Sequence, residues 1–253
     1  MGRRVFCIVA VMLALLAGPV VAQTPSANRF EGWGAAIVAA DWRDSHGQPI
    51  QAFDNARRDL VRGFLGAGFS RADMVDYSLR PDAARPVTAE TAVKGMNDLF
   101  ARTTRGCFLY ITSHGSPAGV VFGPDATVNT TMMANLVRSW CGTKPTVIVI
   151  SACFSGVFVD GLAASNRMIL TAARRDRSSF GCGAEATYPY FDGCVLESLP
   201  GAIDFLALAA ATRACVSRRE AEEGLTPASE PQLYVGPEMQ LRLPTLRFSR
   251  PPP

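Results

Sequence analysis

Two short blocks carry residue types that do covalent chemistry. The run Cys107–Thr112 (CFLYIT) is followed by Ser113-His114-Gly115, and the run Thr146–Ile150 (TVIVI) by Ser151-Ala152-Cys153-Phe154-Ser155-Gly156. Each is an apolar, β-type segment that breaks into a polar turn bearing glycine. A cysteine is a nucleophile as its thiolate, and an imidazole exchanges a proton near neutral pH. Side by side they suit acyl transfer: the thiol attacks a carbonyl carbon, and the imidazole protonates the departing amine and later activates water. A thiol at the start of a helix would also feel the positive end of the helix dipole. Gly156 and the small Ser155 keep the turn after Cys153 open to its backbone N–H groups. Gly115 offers another N–H with no Cβ in the way. Converging N–H groups of this kind stabilise an oxyanion by a few kcal/mol per donor.

Neither residue alone carries the reading. A cysteine after a strand is ordinarily a small core residue, and a single histidine is ordinarily structural. The conjunction is what points to a functional pair: apolar strand then His-Gly, one helix, apolar strand then Ala-Cys with glycine close behind.

The elements that must position these turns alternate between strand and helix. Strands are expected at Gly34–Ala40, Asp73–Ser78, Cys107–Thr112, Thr146–Ile150, Arg167–Ala172 and Gln232–Val235. Helices are expected at Phe53–Leu65, from a Thr88 cap to about Arg102, at Asn129–Trp140 with Asn129 or Thr130 as cap, and at Val157–Ala164. A mostly helical stretch, Val195–Arg218, is interrupted at Pro200. Ser116–Val128 reads as a hairpin, Arg174–Cys194 as an irregular loop and Glu220–Pro231 as a polar loop. Alternating strands and helices imply a parallel sheet covered on both faces, with ligands bound beyond the carboxyl ends of its strands. His114 and Cys153 both sit at such ends.

Composition narrows the field. A chain of 253 residues with 48% hydrophobic and 19% charged residues can bury a core. Residues 1–22 read as a secretory leader: Arg3 and Arg4, an apolar stretch Val5–Ala17, and Val20-Val21-Ala22 before Gln23. The Arg3-Arg4 pair also fits a twin-arginine leader, and ordinary export stays open beside it. The expected division is thus 1–22 leader, 23–245 one domain, and 246–253 a disordered Pro-rich tail. Such a chain works exported, in the periplasm or outside the cell, with no stable membrane span once the leader is removed. Without Arg3 and Arg4, two of the 25 basic residues, the balance is nearly neutral, and no basic run offers a nucleic-acid footprint. His46 and His114 are the two histidines, too few for a zinc site built on His. No P-loop, HExxH, CxxC or GxSxG motif is present.

YITSHG followed by VIVISACFSG resembles the legumain-type cysteine peptidases, family C13 of the caspase-like clan. The clan pattern is one hydrophobic block ending in His-Gly and a second ending in Ala-Cys. The resemblance implies an α/β fold, a caspase-hemoglobinase-like three-layer sandwich with a mostly parallel six-stranded sheet. It implies a His114–Cys153 dyad, an oxyanion hole from the Gly115 and Cys153 N–H groups, and a peptide or protein substrate cleaved after one P1 residue, Asn or Asp in many relatives. It implies no metal or organic cofactor. Arg43, after the first strand, and Ser178, Ser179 and Asp192, after the fifth, are the candidate substrate-binding residues. The chain departs from the common Glu-Ala-Cys at Ser151, which removes a carboxylate from the P1 region. A ligase or transpeptidase using the same site, or a non-catalytic caspase-like binding module, are the alternatives. Intact His114 and Cys153 speak against the binding module.

Of seven cysteines, Cys7 falls in the leader. Cys107 and Cys141 precede adjacent strands and are placed to bridge. Cys182 and Cys194 bracket the irregular loop and would staple it, or either would pair with Cys215.

Overall fold

The computed structural model describes Gly2, residues 29–83 and residues 86–249. Apart from Gly2 the proposed leader lies outside the described residues, as does the end of the Pro-rich tail, 250–253.

A six-stranded sheet forms the middle layer, in the order β2-β1-β3-β7-β8-β9. Its strands are β1 (Trp33–Ala39), β2 (Met74–Ser78), β3 (Gly106–Thr112), β7 (Thr146–Ser151), β8 (Arg167–Thr171) and β9 (Gln232–Val235). The first five run parallel and β9 pairs antiparallel with β8. β1, β3, β7 and β8 are buried along their whole length, which is why they read as continuous apolar runs. The expected six-stranded α/β sandwich is the observed one.

Period-two alternation sorts the strands' side chains into two cores. Ile37, Phe108, Tyr110, Val147, Val149 and Leu170 face α1 (Ala52–Gly66), α5 (Tyr190–Ser198), α6 (Phe205–Glu222) and α7 (Pro237–Arg242). Val38, Leu109, Ile111, Ile148, Ile150 and Ile169 face α2 (Ala89–Arg102), α3 (Thr130–Cys141) and α4 (Phe158–Leu162). The chain runs outward from β1 to β2, then returns across β1 to β3. The strand order therefore reverses between β1 and β3, the switch point where ligands of such sheets bind.

Caps follow the sequence. The Thr88 side chain accepts from Thr91 N–H at the start of α2, and Asn129 from Met132 N–H at the start of α3. Ser116–Val128 forms three short strands, β4 (Gly115–Ser116), β5 (Gly119–Val121) and β6 (Thr127–Val128).

Two local expectations need correction, while the break expected at Pro200 is present. Arg174–Cys194 is irregular only as far as Pro189, since α5 begins at Tyr190, where Tyr190, Phe191 and Cys194–Val195 supply an apolar face. Pro200 separates α5 from α6 through a 3-10 turn, Leu199–Gly201. The start of the Pro-rich tail is seated rather than free: Leu246 and Phe248 are buried in the α1/α5/α6 core. Two apolar anchors outweigh the extended bias of the prolines around them. The short helix α7, opened by Pro237 at its first turn, is an element the sequence reading did not include.

Two disulfides brace the layers. Cys107–Cys141 ties the start of β3 to the end of α3, as expected. Cys194 pairs with Cys215, joining α5 to α6; the Cys182–Cys194 staple does not form. Cys153 and Cys182 remain free thiols.

Candidate active site

The rim that carries His114 and Cys153 is built by register. Thr112 of β3 stands opposite Ser151 of β7, and Ser113 N–H donates to Ser151 O at 3.0 Å. Tyr110 and Thr112 point to the α1/α5 face, and His114 continues that parity. Val149 and Ser151 point the same way, followed by Cys153. The two side chains therefore leave neighbouring strand ends on one face. The Cα of Gly115 lies against the backbone of Cys153, where any Cβ would run into the Cys153 carbonyl oxygen. Only glycine allows the two turns to approach this closely.

His114 is held on three sides. Its Nε2 lies 2.7 Å from the backbone carbonyl of Arg43. A carbonyl only accepts, so Nε2 carries the proton, and Nδ1 is left as the nitrogen that can take one up. The ring of Phe53, at the start of α1, meets the imidazole edge to face, with centroids 5.1 Å apart. The backbone is fastened to the hairpin: Val121 N–H donates to His114 O at 3.0 Å, and Ser113 Oγ donates to Val121 O at 2.8 Å.

The turn that presents Arg43 depends on Asp41, which is 3% exposed. One carboxylate oxygen accepts from Trp42 N–H at 2.7 Å, from Arg43 N–H at 3.2 Å and from Arg43 Nε at 2.8 Å. The guanidinium also donates to the carbonyls of Gly123 and Pro124 on the hairpin. Arg43 thus touches the site through its backbone, while its side chain pairs with Asp41.

Cys153 is partly buried beneath the segment after β8. Ser179 N–H donates to Sγ at 3.2 Å, and Ser179 O and Oγ lie 3.4 and 3.5 Å from the sulfur. Ser178 is exposed beside it. Phe154 takes the left-handed conformation, φ 57°, which costs a non-glycine residue about 1–3 kcal/mol. Phe154 N–H donates to Arg177 O at 2.8 Å, Gly156 N–H to Ala173 O at 2.9 Å, and Ala173 N–H to Ser155 Oγ at 3.2 Å. The reversal after Cys153 is thereby sewn to the loop that covers it. The helix expected to start there is thin: a 3-10 turn, Ser155–Val157, leads into five-residue α4. Its dipole is correspondingly small.

Asp192 lies below the rim in the first turn of α5, with no exposed surface. Tyr110 OH donates to it at 2.5 Å, and the Thr112 hydroxyl donates to its other oxygen. Burial pushes its carboxyl up to about 6, against the lowering effect of hydrogen bonds from Thr112, Tyr110 and Ser151. The serine at 151 thus bonds to a buried acid, where the common glutamate would set a second carboxylate beside it. Cys182 packs beside Phe53, Ile50, Ala39 and Ala52. Its thiol is pushed up by burial first, then by the charges of Cys153, Asp192 and Asp41.

His114, Gly115, Cys153, Ser179 and the Arg43 backbone are brought together, with Asp192 beneath them. His46 stands apart, exposed on the turn after Asp44. The sequence reading missed Asp41, Phe53 and Cys182. Asp41, directly after an apolar run, was the one signal present.

The fold and the paired strand ends define a caspase-type α/β sandwich. Caspase-1 from Spodoptera frugiperda superposes with a TM-score of 0.56 at 14% identity, covering 80% of this chain and 86% of that one. Residues 89–198 match the model of the Peptidase C13 family. That span, which holds both His114 and Cys153, is similar to the Peptidase C13 family, and the fold it sits in is caspase-like. No curated protein matches.

Proposed function

We propose that this protein is an exported cysteine endopeptidase that cleaves after Asn or Asp through His114 and Cys153. The observation that carries the reading is the Nε2 contact to Arg43 O, 2.7 Å, which leaves Nδ1 as the nitrogen that can take up a proton. The thiol gives its proton to Nδ1. The thiolate then attacks the scissile carbonyl carbon, and the oxyanion is met by the N–H groups of Gly115 and Cys153. The C–N bond breaks as His114 returns the proton to the leaving amine. Water, activated by the same imidazole, hydrolyses the thioester and restores the thiol.

Ser178 and Ser179 border the acyl side of this site, Arg43 lines it beside His114, and Asp192 supports it from below. The Cys107–Cys141 and Cys194–Cys215 bridges suit an oxidising compartment. No helix among the described residues is long and apolar enough to cross a membrane.

The test is cleavage of a fluorogenic peptide library randomised at P1, with Cys153→Ala and His114→Ala as controls. Cysteine-dependent cleavage after Asn or Asp is expected. Turnover that survives either substitution would sink the dyad. Products joined to an added amine would move the activity from hydrolysis to ligation.

A further inference from the structure

We infer that the groove beside Trp42 is a subsite for an apolar side chain on the leaving-group side of the scissile bond. The inference rests on the peptidase reading and extends it to the substrate's far half. The groove has a volume of about 560 Å³ and is walled by Trp42, Leu79, Pro81, Val87, Phe122 and Pro124. That space holds one or two large side chains. It continues past Phe122 and Ala126 toward Val93 and the half-exposed Met132.

Three observations name the occupant. First, the groove is joined to the rim through the chain. Trp42 is the chain neighbour of Arg43, whose carbonyl holds His114, and the Arg43 guanidinium lies 4.7 Å from the Trp42 ring centroid while bonding to Gly123 and Pro124. One rigid unit therefore forms both the groove wall and the imidazole's support.

Second, the groove lies across the sheet from the loop that covers Cys153. Leu79, Phe122, Val87 and Ala89 belong to the α2/α3 core. The covering loop packs on the other face, where Cys182 and Ala186 meet Phe53 and Thr187 O accepts from Asn55. The leaving amine must reach His114 to be protonated. A peptide whose acyl part lies under the Ser178–Ser179 loop must then carry its remaining residues past His114, toward Arg43 and Trp42. At about 3.3 Å per extended residue, the groove falls within a few residues of the cleaved bond.

Third, the lining is mostly apolar, built from prolines, aromatic rings and a paired hairpin, with Thr88, Glu90 and Asp125 as its polar members. Such a wall orders little on binding and suits an aliphatic or aromatic side chain.

The experiment uses the full mature chain and three substrates sharing one acyl part. One is a quenched peptide with Leu and Phe on the leaving side, one has Ser and Gly there, and one ends in an aminocoumarin amide with no leaving-side residues. Wild type should favour the apolar peptide by about tenfold in kcat/KM. Ala126→Glu at an exposed position and Val87→Asp at a half-buried one should abolish that preference and leave aminocoumarin release within about twofold. Equal cleavage of the two peptides by wild type would overturn the inference. So would variants that slow all three substrates alike. A preference that survives both variants, while self-association measured by sedimentation is lost, would reassign the groove to a second copy. Absence of Cys153-dependent aminocoumarin release would instead refute the peptidase reading and the subsite with it.

Discussion

The backbone carbonyl of Arg43 and Nε2 of His114 lie 2.7 Å apart, so the exit of β1 orients the imidazole at the exit of β3. The contact spans the place where strand order reverses. Because a carbonyl makes it, the residue type at 43 matters less than the turn that aims it. Asp41 shapes that turn through two backbone N–H groups and the Arg43 guanidinium. Asp41→Ala should leave Arg43 N–H without its acceptor, costing about 1–3 kcal/mol. It should lower kcat at least tenfold with a smaller change in KM. Arg43→Ala keeps the carbonyl and should cost kcat only a few-fold. Steady-state kinetics of both variants decide this. A larger kcat loss in Arg43→Ala than in Asp41→Ala would place the effect in the guanidinium.

Asp192 should leave a signature in stability against pH. Its carboxyl sits at about 6 when folded, above the ordinary 3.8, because burial disfavours its charge. Between those values the folded state holds more protons than the unfolded one, so this group's contribution falls as pH rises from about 4 to 6 and is flat above. The full drop is at most about 3 kcal/mol. Urea unfolding of wild type and Asp192→Asn at pH 4, 5, 6 and 7 reads it directly. The difference between the two proteins should shift in favour of the variant as pH rises through 6. A difference constant with pH would mean Asp192 titrates no differently in the two states.

Much of this was legible from sequence because it rests on local pattern. β3 and β7 are buried along their whole length and mostly apolar, so the residues after them stood out as rim residues. Thr88 and Asn129 are capping types placed directly before helical periodicity, and both cap. What stayed hidden depends on distant partners. Tyr110 reads as one more apolar strand residue, and only the packing of α5 shows its hydroxyl meeting Asp192. Asp192 looked like a loop residue because Gly181, Gly183 and Pro189 precede it; the helix that buries it forms against α6 through Cys194–Cys215. Phe53 reads as an ordinary core position of α1, and its edge-on contact with His114 arises from the return of the chain after β1.

The Cys194–Cys215 bridge joins α5 to α6 across a separation of 21 residues. Closing a loop of that length removes denatured-state entropy worth about 3 kcal/mol. The double substitution Cys194→Ala, Cys215→Ala should therefore lower Tm by about 6–12 °C. It should also loosen the floor under the rim, since Asp192 lies on α5. Calorimetry checks the first effect and a rise in KM the second. An unchanged Tm would mean the bridge adds nothing to helix packing that already suffices.

The two free thiols should differ in reactivity. Cys153 receives an N–H from Ser179 at the open rim, whereas Cys182 is packed against Phe53 and Ala52 with its thiol pushed up by burial. Nucleophilicity toward an alkylating agent needs the thiolate and a path to it. Iodoacetamide at pH 7 should label Cys153 first, with peptide mapping showing Cys182 modified at least tenfold more slowly. Loss of peptidase activity should track Cys153 labelling alone. Cys182→Ala trims a small side chain from a four-residue apolar cluster and should retain most activity. If Cys182 is alkylated first, or if Cys182→Ala inactivates the protein while its Tm is unchanged, the nucleophile is assigned to the wrong sulfur.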